Sequence, residues 1–176
     1  KRQKEAIIIA HRQEYERLLL DFKRFLELGF TDAGDIESAY IGVQQEIMWL
    51  EDQLDLTVDE ITERVEQFEK KYPKEIEYMK DFQLYLVRVE VLGSQVVNAV
   101  DEMRAMKMAQ ANDYIKQINN AVSSMKTQTK QDREKFEAFL KNLYNEIQTK
   151  LSKRKTLNSL RWIWQVVVVI IVVAIV

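Results

Sequence analysis

The amino-acid sequence predicts an all-α protein: an antiparallel helical bundle with a long heptad-patterned C-terminal helix running into a transmembrane helix. Three observations lead there. Glycine and proline number only 4 and 1 in 176 residues, too few to supply the turns of a β-rich fold. Strong helix formers such as Glu, Lys, Gln, Leu and Met dominate instead. Apolar residues recur at steps of three and four, the spacing that gathers them on one helix face.

The first helix is expected from near Gln3 to Leu28, with Ile8, Tyr15, Leu18, Leu19, Phe22, Phe25 and Leu26 on its inner face. Gly29 suits the left-handed position just past a helix end, and Asp35 suits the N-cap of the next helix. That helix carries Ile36, Tyr40, Val43, Ile47, Leu50 and Leu54. Thr57-Val58-Asp59-Glu60 has the spacing of a capping box, in which hydroxyl and carboxylate each satisfy the other residue's free amide. Val58, Ile61, Val65, Phe68 and Tyr72 follow at helical steps. Pro73 ends that helix or opens the next as its first residue, where a missing N–H costs nothing.

Leu84–Leu92 alternates apolar and polar residues like a strand. With no second strand to pair it, its backbone groups would go unsatisfied, so the expectation is an apolar helix buried at the centre of the bundle and reaching about Met108. Ala109–Asp113 marks a weak boundary, with Asn112 or Asp113 as cap. Beyond it Ile115, Ile118, Val122, Met125, Thr129, Asp132, Phe136, Phe139 and Leu143 follow alternating steps of three and four, a heptad seam that Ile147 and Leu151 continue. Thr129 and Asp132 read as polar insertions in that seam. With no glycine or proline after Gly93, one unbroken helix is expected from about Asn112 to the end. The domain plan is thus a bundle over 1–109, a stalk over 110–160 that stands free or packs as the bundle's last helix, and a membrane segment over 161–176.

The final stretch is the most specific signal. Between Lys150 and Arg161 there are five basic residues (Lys150, Lys153, Arg154, Lys155 and Arg161) and no acidic one. Trp162 and Trp164 come next, then a run of Val, Ile and Ala to Val176. Cations, then tryptophans, then hydrocarbon is the order of layers met on entering a bilayer. Only a helix satisfies the backbone of a lone spanning segment there, so the strand preference of Val and Ile is overridden. Trp162–Val176 would measure about 22 Å as a helix against a hydrocarbon core of ~30 Å. The expectation is therefore that the run continues past Val176, and an N-terminal Lys likewise suggests a fragment or a processed form. With the basic collar on its N-terminal side, the bundle is expected on the cytoplasmic face of a single C-terminal span.

Other chemistries find little support. Lys and Arg number 26 against 28 Asp and Glu, which lacks the basic excess that nucleic acid requires. No cysteine is present, so thiolate metal sites and disulfides are excluded. His11 is the single histidine; with Glu14 and Tyr15 it offers at best a fragment of a metal site, and neither paired Glu-x-x-His ligation nor triad chemistry can be assembled. No catalytic, cofactor or metal residues are assigned, and no enzymatic activity is expected. The acidic stretch Glu51–Glu77 and the methionines Met103, Met106, Met108 and Met125 read first as a solvated face and core filling, while the pair Arg88 and Glu90 marks either an inter-helix polar contact or a ligand site.

In outline, a helical bundle followed by a heptad helix and a C-terminal anchor resembles syntaxin-type SNARE proteins. Those centre a glutamine layer in the heptads; here Thr129 and Asp132 hold the seam, and Gln128 and Gln131 fall beside it. The plan is similar also to the sensor module of bacterial chemoreceptors, with no residue motif to carry the likeness, and neither family is claimed. The sequence therefore implies a membrane-anchored interaction or scaffold protein. Its expected partners are the lipid bilayer and sister chains or another helical protein, met through a stalk seam of Ile118, Val122, Met125, Phe136, Phe139, Leu143, Ile147 and Leu151. The alternative is an extracytoplasmic ligand-sensing bundle leading into the second membrane helix of a receptor.

Overall fold

A computed structural model of the chain describes residues 2–124 and 128–175, with side chains through Ile163 and at Gln165. Among the described residues six helices follow one another: α1 (Arg2–Glu27), α2 (Ile36–Asp52), α3 (Val58–Lys71), α4 (Pro73–Ala105), α5 (Ala111–Ser124) and α6 (Lys130–Ile175). No strand occurs among the described residues. The chain forms two compact units. The first comprises Lys1–Leu86 and Lys126–Arg133, the second Val87–Met125 and Glu134–Val176.

In the first unit the expected signals act where they were read. Gly29 sits at φ 67°, just past α1, in the region glycine enters without strain. Asp35 caps α2, its carboxylate accepting from the Ser38 N–H at 3.0 Å. At α3 the Glu60 N–H donates to the Thr57 hydroxyl at 3.3 Å, and the Thr57 N–H donates to the Glu60 carboxylate at 2.8 Å. Pro73 is the first residue of α4. Arg12 closes the far end of α2 by donating to the Leu50 carbonyl at 2.7 Å and to that of Gln53, where cations favour the helix dipole.

Tyr15, Leu19, Phe22, Phe25 and Leu26 are all buried, as their spacing predicts. They meet Val43 and Leu50 of α2, Ile61 and Phe68 of α3, and Tyr72, Ile76 and Met79. Each such side chain contributes about 1.5–3 kcal/mol when fully buried. Leu54 departs from expectation: α2 ends at Asp52 and leaves it exposed. Gly42 lets the chain pass close to Tyr72, since a Cβ there would collide with the Tyr72 hydroxyl.

In the second unit Val96, Ala99, Val100 and Met103 of α4 pack with Ala111 and Tyr114 of α5 and with Leu143, Ile147 and Leu151 of α6. Leu84–Leu92 is helical, as argued, but not buried all round. Val87 and Val91, one turn apart, are 59% and 52% exposed. Of the two expectations for Arg88, the inter-helix contact is the one described, its Nε donating to Glu137 at 3.0 Å.

The unbroken helix expected from Asn112 is interrupted. α5 ends at Ser124 and α6 begins at Lys130. Thr129 and Asp132 are the cap of α6: the Asp132 N–H donates to the Thr129 hydroxyl at 3.1 Å, and that hydroxyl donates to the Asp132 carboxylate at 2.8 Å. The α1–α2 loop completes this N-terminus. The Lys130 N–H donates to Asp32 at 2.9 Å, and the Thr31 N–H donates to the Gln128 carbonyl at 3.2 Å.

Candidate functional site

The seam residues are divided between core and surface. Leu143, Ile147 and Leu151 are buried in the second unit's own cluster, with Ile118 and Phe139 packed against it. Phe136 is buried and stacks on Phe139 at 6.2 Å between ring centres. Val122 is 53% exposed, and Met125 lies outside the described residues. Of the two expectations for the seam, packing within the chain describes Leu143, Ile147 and Leu151, while Val122 stays exposed. Burying those side chains in a partner instead would first expose them here, at the same cost per side chain.

One polar network locks that packing. The Tyr114 hydroxyl donates to Glu146 at 2.6 Å, and the Lys150 ammonium lies 3.0 Å from Glu146 and 4.9 Å from the centre of the Tyr114 ring. Tyr114's hydroxyl bond, then Lys150, hold the Glu146 carboxyl below its ordinary value. Burial, then Glu146, raise the Tyr114 phenol. Lys150, expected at the membrane interface, is thus half-buried and engaged with its own unit.

Beyond Leu151, no described side chain of α6 belongs to the second unit's apolar cluster. Every residue from Ser152 to Ile163 is exposed, Leu157 at 60% and Trp162 and Ile163 among them, while the helical backbone continues to Ile175. Lys155 reaches Glu102 at 2.7 Å. Among the described residues Lys153, Arg154 and Arg161 form no ion pair. The side chains of Trp164 and of 166–176 lie outside the described residues. Among the described residues no helix is long and apolar enough to cross a membrane.

The first unit holds a groove of about 850 Å³ between α1, α3 and the start of α4. Leu18, Ile61, Val65 and Met79 line it, with Glu14, Asp21, Glu69 and Lys80 among its polar residues. Lys80 pairs with Glu69 at 3.2 Å. His11 lies on this wall with Glu14 and Tyr15, and its Nδ1 is 2.9 Å from the Ile7 carbonyl oxygen. Among the described residues no cluster of His, Asp and Glu is arranged to hold a metal ion. Tyr15 donates to Glu46 at 2.9 Å, and Arg64 grips the same carboxylate with two bonds of 2.8 and 2.9 Å. Burial first, then Glu46, push the Tyr15 phenol far above its ordinary value. A neutral phenol and a paired carboxylate lock α1, α2 and α3 together and leave neither group free for acid–base work.

Sequence reasoning missed Arg133, which is 4% exposed and faces four aromatic rings of the first unit. The rings of Phe30, Tyr78, Phe82 and Tyr85 come from two separated stretches, so no local pattern around Arg133 announces them. The Thr129–Asp132 cap did carry a signal, the same spacing recognised at Thr57–Glu60. No family model, no curated protein and no solved structure matches this chain.

Proposed function

We propose that the chain is a membrane-anchored helical-bundle interaction protein, with α6 as the element that couples its helical units to a bilayer. The observation that carries this is the stretch Ser152–Ile163, exposed on all sides while α6 runs on as helix. An isolated helix of such length is marginal in water, and a segment bearing exposed Leu157, Leu160, Trp162 and Ile163 gains from an apolar surrounding. The layer order of cations, tryptophans and Val/Ile run supplies that surrounding as lipid. Partner proteins would meet the helical units on their exposed surfaces, away from buried Leu143, Ile147 and Leu151.

The positive-inside rule puts the helical units on the cytoplasmic side. Because the chain has no cysteine, one introduced thiol reports its side without background. Asn120→Cys places it on an exposed face of α5. A membrane-impermeant maleimide should label this variant only after the cells are opened. A second reading, an extracytoplasmic ligand-sensing bundle, draws support from the groove in the first unit. Labelling on intact cells would favour that reading, and a thiol found entirely in the soluble fraction would remove both.

A further inference from the structure

We propose that the stretch Lys153–Arg161 of α6 docks on the anionic headgroups of the leaflet it enters, so that the anchor selects negatively charged membranes. This deepens the anchored reading and rests on it.

Charge is unevenly distributed along the chain. Five of the 26 basic residues fall within Lys150–Arg161, leaving 21 basic against 28 acidic residues for the rest of the chain. Elsewhere cations are commonly paired with nearby acids: Arg17 with Asp21, Arg64 with Glu46, Lys70 with Glu66, Arg88 with Glu137 and Arg104 with Asp101. In the collar, Lys150 and Lys155 are paired with Glu146 and Glu102. Lys153, Arg154 and Arg161 have no acid within their stretch and no ion pair among the described residues.

Placement on the helix turns these charges into a surface. Arg154, Leu157 and Arg161 are three and four residues apart, one row along α6, and Lys153, Leu157 and Leu160 form the adjoining row. All are exposed. A stripe of cations interleaved with leucines suits the boundary between headgroups and acyl chains: the aliphatic stems lie along the apolar side while the charged ends reach phosphate. A neutral leaflet gains little from such a stripe. An anionic one attracts it and repels the net-negative remainder, which orients the chain with its collar down.

The test uses the full chain and a Lys153→Gln/Arg154→Gln/Arg161→Gln variant, added from dilute detergent to vesicles below saturation and separated by flotation. Circular dichroism confirms that the variant is folded, which the exposure of all three positions predicts. One set of vesicles is phosphatidylcholine; the other carries about a quarter phosphatidylserine. The expected result is equal partition of both proteins to the neutral vesicles. On the anionic ones the unaltered chain should gain on the order of a hundredfold. The variant should lose most of that gain, and high salt should remove it. Equal partition of the unaltered chain into both vesicles would overturn the proposal and leave the anchor standing, as would a variant that keeps the full gain. Failure to float with either vesicle would overturn the anchored reading itself.

Discussion

The guanidinium carbon of Arg133 lies 4.7 Å from the centre of the Tyr78 ring. The rings of Phe30, Phe82 and Tyr85 stand at 5.1, 5.6 and 5.9 Å. With Lys130 bonded to Asp32, this box ties the start of α6 to the α1–α2 loop and the first half of α4. A desolvated cation–π contact contributes about 2 kcal/mol. Arg133→Lys replaces a planar, weakly hydrated cation with a compact, strongly hydrated one, so it should cost at least ~1 kcal/mol. Arg133→Ala should cost about 3 kcal/mol, as packing is lost too. Urea denaturation measures both, and stability unchanged in the alanine variant would contradict this account of the box.

Gly42 and Tyr72 make the second test. Gly42→Ala puts a methyl group where the Tyr72 hydroxyl lies, and overpacking of this kind costs about 1–3 kcal/mol. Tyr72→Phe alone loses the 3.3 Å bond to the Ser38 carbonyl. In the double variant the hydroxyl is gone, so the combined loss should be smaller than the sum of the two singles. Additive losses would assign the strain to the Tyr72 ring carbons, which also crowd that position, rather than to the hydroxyl.

The buried end of the seam gives a third. Ile147 is fully buried in the second unit. Ile147→Ala should cost about 2–5 kcal/mol, and its melting temperature should not depend on protein concentration. A melting temperature that rises with concentration would mean the seam is shared between chains.

The fourth concerns acid. Glu146 is held below its ordinary value of 4.5 by the Tyr114 hydroxyl and then by Lys150. Glu60 is held down by the Thr57 hydroxyl and then the Thr57 amide. The unfolded chain therefore binds more protons than the folded one as pH falls below 4.5, and stability declines in that window. Both contributions are fully present above it and disappear as pH passes through the lowered folded values. Tyr114→Phe removes the larger influence on Glu146, so its carboxyl titration, followed by NMR, should move up toward 4.5. A titration unmoved by that change would assign the shift to another cause.

Much of the first unit was legible in the sequence because its signals are local. Gly29, Asp35, Thr57 and Pro73 each act within four residues of themselves, and the α1 face follows from spacing alone. The break before α6 was hidden by a coincidence of spacing. The three–four rhythm runs on from Val122 to Phe136, and a cap with polar groups at its first and fourth positions looks the same as a polar insertion in a seam. The boundary was written as Thr-x-x-Asp all the same. Arg133 was not legible, since a basic residue on a helix is ordinarily solvated and here its burial is decided by rings 48 or more positions away. The exposure of Val87 and Val91 was not legible either, because an apolar helix face does not say whether the fold supplies it with a partner.

Tryptophan emission reads out the proposal that the end of α6 enters lipid at Trp162 and Trp164. Replacing Trp49 with Phe leaves those two as the only tryptophans. With this variant in vesicles, the account predicts emission shifted to the blue and quenched most by lipids brominated near the headgroup. Emission as red as that of a tryptophan in water, unquenched by lipids brominated at any depth, would contradict it.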